Sequence, residues 1–232
     1  ERKFWKDDFS VDSSSQYTGD VGSFTWDTAN KRLVIPTGGK YLQLPVDVDS
    51  VRKASMVVSF AGAGTSHAGF YFTIAGIIYR IYPLVQSGKE ATVYVYLRNE
   101  TAGTTVVQLG TYDFSGGAKH RIGFEYDGIS KIRLTVDADI SNEYTVGTGL
   151  EYIEIRSAGT PVTYIEDLTV SPSISYTDDF STDTVSGANG RYNKVYGSSI
   201  AYDEVNHCMN LTNIDSTFVS LKSYKFVSGS FR

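Results

Sequence analysis

Apolar and polar residues alternate with a period of two along roughly the first 170 residues, while the spacing of an amphipathic helix is nearly absent. This alternation predicts β-strands. We expect them at 4–9, 23–27, 32–35, 41–44, 54–61, 69–74, 77–82, 92–98, 105–112, 120–126, 131–137, 152–156 and 163–170. Gly, Asn, Asp and Ser turns separate them, and so many short strands indicate a two-sheet sandwich or a barrel.

Two segments predict how the sheet faces are arranged. The hairpin around Asp127-Gly128 should direct one alternating set of side chains into the core and the other into water. The core set is Ile122, Phe124, Tyr126, Ile132, Leu134 and Val136, and the water-facing set is Arg121, Glu125, Lys131 and Arg133. If the strand 163–170 lies beside 4–9, the two ends of the module meet.

The opening motif of the chain occurs twice. Asp7-Asp8-Phe9-Ser10 returns as Asp178-Asp179-Phe180-Ser181, and further anchors follow in the same order. The matched segments are 16–18 with 191–193, 24–27 with 200–203, 33–35 with 209–211 and 41–44 with 218–221. A shared order of apolar anchors with variable spacers predicts a duplicated module.

The repeat predicts a complete β-sandwich over 1–171, a short linker over 172–175, and the N-terminal part of a second, repeated sandwich over 176–232. Half a sandwich leaves strand edges and apolar faces open. We therefore expect either that more chain follows or that another subunit completes the second module by strand donation.

The ordered set of motifs resembles a known family. It consists of the Asp-Asp-Phe-Ser opening, Trp26-Asp27 followed by Arg32-Leu33-Val34-Ile35, the hairpin at Asp127-Gly128, and the closing run from Tyr164 to Val170. Together they resemble the concanavalin A-like lectin/glucanase sandwich in its laminin-G-like form, over 4–171 and in part over 176–232. The resemblance implies an all-β, antiparallel jelly roll of two large sheets, one of them concave. Such folds serve sugar-binding modules, adhesion domains, virion spike and tail-fibre domains, and glycanases.

Composition narrows the function classes. The net charge of −5 argues against a nucleic-acid partner. The sequence contains no run of 18 apolar residues, so it does not predict a membrane-spanning helix. The single cysteine, Cys208, excludes a disulfide within the chain. The start at Glu1-Arg2-Lys3 is typical of a piece of a longer polypeptide. We expect an extracellular, cell-surface or virion-surface protein.

Paired carboxylates would indicate glycoside hydrolysis. Glucanases of this fold, as the resemblance implies, carry Glu-x-Asp-x-x-Glu on one strand. The nearest match, from Glu151 to Glu154, lacks the middle acid, and a spacing of three directs its two carboxylates to opposite faces. The three histidines are scattered, so the sequence predicts that the chain is not an enzyme.

A row of tyrosines suggests a ligand platform. Alternation places Tyr71, Arg80, Tyr82, Tyr94 and Tyr96 on outward sheet faces. Tyr rings stack on the apolar faces of sugars while Arg and hydroxyl groups bind their rims. The alternative is that Tyr is favoured on half-buried strands, and that these rings pack under loops or against a neighbouring module.

A structural Ca²⁺ ion is the one cofactor that the sequence suggests. Asp7, Asp8, Glu166 and Asp167 would converge if the first and last strands pair, and Ca²⁺ prefers such oxygen ligands. Asp8 and Asp167 are the predicted ligands. The alternative is a solvated strand end without metal.

The sequence therefore predicts a non-enzymatic recognition or adhesion module. Its expected partners are a glycan or cell-surface polysaccharide, and neighbouring modules or copies of the same protein. A structural spacer or fibre domain of a surface layer or phage tail is the alternative, and a glycoside hydrolase or lyase on the same fold is the third interpretation.

Overall fold

The computed structural model describes residues 4–62, 64–157, 159–160 and 162–172, and the backbone of four strands between 192 and 221. The chain divides into two compact units, Glu1–Ile174 and Ser175–Arg232. None of the described residues forms a helix of the length and apolarity that a membrane crossing requires.

The described residues of the first unit form eighteen strands. They are β1 (Trp5–Asp7), β2 (Thr18–Gly19), β3 (Thr25–Asp27), β4 (Arg32–Ile35), β5 (Tyr41–Gln43), β6 (Lys53–Phe60), β7 (Thr65–Ser66), β8 (Gly69–Ile74), β9 (Ile77–Leu84), β10 (Val93–Asn99), β11 (Thr104–Tyr112), β12 (His120–Tyr126), β13 (Lys131–Val136), β14 (Asp139–Ile140), β15 (Tyr144–Thr145), β16 (Leu150–Arg156), β17 (Gly159–Thr160) and β18 (Thr163–Ser171). All thirteen predicted strands occur, with ends shifted by at most three residues. The five strands that were not predicted have two residues each, too few to show alternation.

Two antiparallel sheets form the sandwich. The nine-stranded sheet has the order β14-β13-β12-β6-β18-β4-β3, with β1 also paired to β18 and β15 to β13. The seven-stranded sheet has the order β11-β10-β9-β8-β16-β5-β2. This architecture confirms the predicted all-β jelly roll.

The second unit contains β19 (Tyr192–Tyr196), β20 (Ser199–Asp203), β21 (Cys208–Thr212) and β22 (Phe218–Leu221). In the described backbone, β19 pairs with β22 and β20 pairs with β21, both antiparallel.

Aromatic side chains from both sheets meet in the core. Phe124 of β12 lies 4.6 Å from Phe72 and 6.1 Å from Phe70, measured between ring centroids, and both partners belong to β8. All three rings are fully buried. Burying each contributes on the order of 1.5–3 kcal/mol to folding, so this contact fixes the inner face of each sheet.

The hairpin of β12 and β13 confirms its predicted core set, all of which is buried. The prediction that Glu125 and Arg133 face water was wrong. Glu125 is fully buried with Lys53 Nζ 3.3 Å from its carboxylate, and Arg133 is 8% exposed with Glu143 at 2.9 Å. Lys53 of the neighbouring β6 and Glu143 of the segment between β14 and β15 bring opposite charges to these two groups, which makes their burial tolerable.

The first and last strands of the unit pair as predicted, with Trp5 opposite Val170 and Asp7 opposite Leu168. The ladder between β18 and β6 shifts register between Glu166 and Thr169, and Asp167 there has a φ of 46°. This bulge divides β18, so that β4 pairs with its beginning and β1 with its end.

The repeated Asp-Asp-Phe-Ser motif has a structural role in the first unit. The buried carboxylate of Asp7 accepts hydrogen bonds from the Phe9 N–H at 2.8 Å, the Tyr17 hydroxyl at 2.8 Å and the Ser13 hydroxyl. Ser13 Oγ in turn accepts from Trp26 Nε1 at 2.9 Å. Burial and the neighbouring Asp7 raise the pKa of Tyr17 well above its usual value. The network links β1 to the loop that contains Ser13 and Tyr17, and through Ser13 to Trp26 of β3.

We expect Tyr17→Phe to lower the free energy of unfolding by about 1–3 kcal/mol, because it removes a donor from a buried carboxylate. Both tryptophans of the chain, Trp5 and Trp26, lie against the Tyr17 ring. Urea unfolding followed by tryptophan fluorescence therefore reports on this network. Tyr94→Phe, at an exposed ring, is the control and should change stability little. Equal effects of the two substitutions would contradict the assignment.

Candidate functional site

Strand alternation directs Tyr, Arg and Glu side chains to the outer face of the seven-stranded sheet. Phe70, Ile81, Val95 and Ile155 of its central strands are buried in the core, so their neighbours point the other way. We call this outer surface the tyrosine–arginine face. It comprises Tyr71, Arg80, Tyr82, Tyr94, Tyr96, Arg98, Tyr152, Glu154 and Arg156, with Glu100, which follows β10.

The five residues predicted as a platform lie together on this face. Arg80 Nη1 donates to the Tyr71 hydroxyl at 2.7 Å, and its guanidinium lies 3.8 Å from the centre of the Tyr82 ring. Tyr82 stacks on Tyr96 at 5.7 Å, and Tyr94 lies 6.3 Å from Tyr96. Their role in binding a ligand stays a prediction.

The row is less exposed than the sequence suggested. Tyr94 is 39% exposed, but Tyr82 is 4% and Arg80 9% exposed. The guanidinium of Arg80 covers the Tyr82 ring, and the His67 ring lies 5.9 Å from it on the edge. Contacts among the side chains of this face therefore fix Arg80 and Tyr82 in place without a ligand.

Glu100 completes the pairing of the buried arginine. Its carboxylate lies 2.9 Å from Arg80 Nε and 3.6 Å from Arg98 Nε. The Glu100 backbone N–H donates to the Ile78 carbonyl at 2.8 Å, which fixes the residue beside β9. A buried guanidinium requires such a partner.

Glu154 lies on the same face, one strand away from Tyr71. In the ladders of β16 it is directly opposite Tyr71 on one side and Gln43 on the other. Arg156 Nε donates to its Oε2 at 2.7 Å, and the Arg156 guanidinium lies 4.6 Å from the centre of the Tyr71 ring. Glu154 and Tyr71 are thus cross-strand neighbours; Arg156 contacts both of them, and Arg80 donates to the Tyr71 hydroxyl.

Glu151 is not part of this arrangement, as its spacing from Glu154 predicted. The β16–β8 ladder shifts register between Leu150 and Tyr152. The Glu151 carboxylate instead accepts a hydrogen bond from the Gly76 N–H at 2.8 Å, at the turn between β8 and β9.

The electrostatics of the face favour neutral Tyr and His. Burial raises the pKa of Tyr71, and the guanidinium of Arg80 offsets part of that rise. Burial, and then the charge of Arg80, lower the pKa of His67. At neutral pH Tyr71 therefore carries its proton and His67 is uncharged.

Sequence analysis missed the contributions of Glu100, Glu154 and Arg156 to this face. The alternation of Leu150-Glu151-Tyr152-Ile153-Glu154-Ile155-Arg156 contained the signal for two of them, since Ile153 and Ile155 mark the inner face. Nothing in the sequence places Glu100 against Arg80, because that contact depends on how the chain turns after β10.

The predicted Ca²⁺ ligands have other contacts. Asp167 binds Lys6 Nζ at 2.7 Å through one oxygen and Arg121 through the other. Burial works to raise the pKa of Asp167, but these two cations outweigh it and the pKa lies below its usual value. Asp8 accepts from the Ser10 N–H at 3.0 Å. In the described part of the chain no three His, Cys, Asp or Glu residues cluster as a metal site, and Ca²⁺ at Asp8 and Asp167 stays a prediction.

The outer face of the nine-stranded sheet carries a groove with a volume of about 740 Å³. Its polar groups pair with one another: Arg32 lies 3.8 Å from the centre of the Tyr164 ring, and Lys119 binds Glu166 at 2.6 Å. Tyr164 is the one tyrosine among the described residues that line the groove, and Arg32 covers it, whereas the tyrosine–arginine face also presents the exposed ring of Tyr94. The groove is therefore the weaker candidate.

Comparison with known proteins shows similarity in structure but finds no match by sequence. No protein-family model matches the sequence, and no curated protein matches it. Solved structures do resemble it. A laminarinase from Flavobacterium sp. UMI-01 is 11% identical with a TM-score of 0.55, over 72% of this chain and 98% of that one.

Two further structures show the same likeness. A β-glucanase from Bacillus licheniformis is 11% identical with a TM-score of 0.53, over 72% of this chain and 97% of that one. A Crh5 transglycosylase in complex with NAG is 11% identical with a TM-score of 0.56, over 76% of this chain and 88% of that one.

These comparisons correct the functional prediction. A non-enzymatic recognition or adhesion module was expected, and the similar structures are named as hydrolases and a transglycosylase. The prediction that the chain is not an enzyme is contradicted by the same finding. The similar structures give the structural spacer no support, and their names belong to the class of the third interpretation, an enzyme on this fold. The expected extracellular, cell-surface or virion-surface location stays a prediction.

At 11% identity the likeness concerns the fold and not the activity. The first unit therefore has the antiparallel β-sandwich jelly-roll fold of these enzymes.

Proposed function

We propose that the first unit is a carbohydrate-active enzyme that hydrolyses glycosidic bonds in a polysaccharide bound across the tyrosine–arginine face. One observation carries the proposal: a carboxylate, Glu154, and a hydroxyl, Tyr71, lie opposite each other on adjacent strands, and Arg80 donates a hydrogen bond to that hydroxyl. The carbohydrate enzymes that share the fold support the class of reaction.

A polymer fits the face better than a single sugar. In the ladders Tyr41 of β5, Tyr82 of β9 and Tyr96 of β10 share one row across the strands, and Tyr71 of β8 lies in the adjacent row. Four strand spacings separate β5 from β10, which amounts to about 19 Å. The exposed rings of Tyr41 on β5 and Tyr94 on β10 provide stacking positions at the two ends of that length, while Tyr82 lies covered by Arg80 between them.

Tyr71 is the proton donor in this proposal. Its oxygen accepts from Arg80 Nη1 at 2.7 Å, so its own proton is available for the glycosidic oxygen. As that proton leaves, the phenolate that forms lies beside the positive charge of Arg80, which stabilises it. Cleavage of the bond between the anomeric carbon and this oxygen then releases one part of the chain as an alcohol.

Glu154 is the base. Arg156 holds its Oε2, and the carboxylate removes a proton from the water that attacks the anomeric carbon. The water oxygen forms the new bond, the proton passes from Glu154 to solvent, and Tyr71 recovers a proton from solvent.

We expect Glu154→Gln and Tyr71→Phe each to lower the rate of reducing-end release by roughly 10²–10⁴-fold, the usual contribution of a general base or acid. The measurement is reducing-sugar release from a panel of neutral, carboxylated and sulfated polysaccharides. Glu166→Gln is the matched control, because this carboxylate also pairs with a cation but lies on the nine-stranded sheet. It should leave the rate unchanged.

Two results would count against this mechanism. A folded wild-type chain that releases no reducing ends from any polymer would contradict enzymatic hydrolysis. Products that absorb ultraviolet light through an unsaturated sugar would show elimination instead of hydrolysis, and would remove the role given to the water.

We also propose that the second unit is a copy of the opening strands of the first. The sequence match equates Trp26 with Tyr202 and Leu33 with Met209. Trp26 pairs with Leu33 in the first unit, and Tyr202 pairs with Met209 in the second.

The other ladder agrees as well. The match equates Thr18 with Asn193 and Gln43 with Ser220. Thr18 pairs with Gln43, and Asn193 pairs with Ser220. A one-residue slip would reverse the face of every side chain, so agreement of register in both ladders supports duplication.

Solution NMR of the full chain tests the copy. We expect cross-strand contacts between the backbones of Tyr202 and Met209 and between those of Asn193 and Ser220. The corresponding contacts of Trp26 with Leu33 serve as the internal reference. Either ladder of the second unit displaced by one residue would disprove equivalence.

A further inference from the structure

We infer that the polysaccharide is anionic and carries carboxylate or sulfate groups, which Arg156 and Arg98 bind. This inference names the substrate class of the enzyme proposed above and rests on that proposal. It follows from the charge, exposure and hydrogen bonding of the arginines on the tyrosine–arginine face.

The face carries more positive than negative charge. Three arginines, Arg80, Arg98 and Arg156, share it with two carboxylates, Glu100 and Glu154. The chain as a whole has a net charge of −5. The net charge of the face is thus positive, although the net charge of the protein is negative.

Arg156 is presented as a binding group. Its ion pair with Glu154 uses Nε, and its guanidinium plane is held against Tyr71 at 4.6 Å and Tyr41 at 6.0 Å. The side chain is still 34% exposed. Within the described residues, no hydrogen bond or ion pair uses its two terminal nitrogens, which can then make a bidentate contact that carboxylate and sulfate oxygens match in geometry.

Arg98 provides a second such group on β10. One terminal nitrogen donates to the Gly103 carbonyl at 3.2 Å, and Nε lies 3.6 Å from the carboxylate of Glu100. Its side chain is 35% exposed. Glu100 lies closer to Arg80, at 2.9 Å, so one carboxylate serves two cations and Arg98 is the less fully neutralised of them.

A neutral glucan does not require this arrangement. Its hydroxyl groups give weaker, uncharged hydrogen bonds, and covering the face with it would remove water from three guanidinium groups that share only two carboxylates. An acidic polymer supplies the missing charge. Arg156 on β16 and Arg98 on β10 are three strand spacings apart, about 14 Å, so they would contact charged groups on different sugars.

Titration calorimetry of the full chain tests the inference, with a polyuronate, a sulfated galactan and a neutral β-glucan as probes. Tyr71→Phe serves as the background to prevent cleavage during the titration. We expect tighter binding of one of the charged polymers than of the glucan, and weaker binding at higher salt. The polyuronate and sulfated arms separate the two sources of charge.

Arg156→Gln should weaken binding of that polymer roughly 10- to 100-fold, because it removes a charge-assisted contact. Arg98→Gln should have an effect of the same sign. Arg32→Gln is the matched control: it also removes an arginine stacked on a tyrosine, Tyr164, but on the other sheet. It should leave binding unchanged.

Equal binding of the neutral glucan, with no loss in Arg156→Gln, would overturn the inference, as would a folded chain that binds neither charged polymer. The two proposals fail separately. Cleavage of neutral glucan that is lost in Glu154→Gln would keep the enzyme and exclude the anionic substrate. If a charged polymer binds in a manner that depends on Arg156, but the chain releases no reducing ends from that polymer, the anionic ligand is kept and the enzyme is excluded.

Discussion

The contact of Phe124 with Phe70 and Phe72 determines the arrangement of everything else in the first unit. It fixes the inner face of β8, and because side chains alternate in a strand, it also fixes the outward direction of Tyr71. The neighbouring strands follow through their ladders, which place Arg80 and Glu154 on either side of Tyr71. The proposed site is therefore a consequence of core packing and needs no special loop to assemble it.

The largest free-energy penalty in this arrangement is the desolvation of Arg80. A guanidinium that is 9% exposed loses most of its hydration, and only good partners offset that loss. Glu100 supplies the charge, the Tyr71 hydroxyl accepts a hydrogen bond, and the Tyr82 ring supplies a π face. These contacts immobilise the groups to which we assign chemistry, so that little ordering is left for the binding step.

Sequence patterns predicted the fold well and the site in part. The bounds of Gly69–Ile74 and His120–Tyr126 were obtained without error, because alternation is unbroken there. Glu125 was misplaced because alternation reports the face of a residue and not what covers that face. The contact of Asp167 with Lys6 and Arg121 depends on a bulge, and bulges leave no periodic signal.

The error about function has a different origin. The glucanase pattern has its carboxylates on one strand, whereas the arrangement proposed here joins Glu154 to a tyrosine on the next strand. Such a pairing is a property of the ladder between β16 and β8, and one strand's sequence does not contain it. A fold that hosts binders and enzymes alike then offers no means to decide between them.

Net charge is a poor guide to the ligand of this protein for a related physical reason. Charges exposed to water are screened over a distance of about 8–10 Å at physiological salt, so carboxylates elsewhere on the surface contribute little to the field at Arg156. In contrast, the rings of Tyr41 and Tyr71 on either side of that guanidinium exclude water and strengthen its local interactions. An acidic protein can therefore hold a cationic face, and the few groups within reach of the ligand determine what it binds.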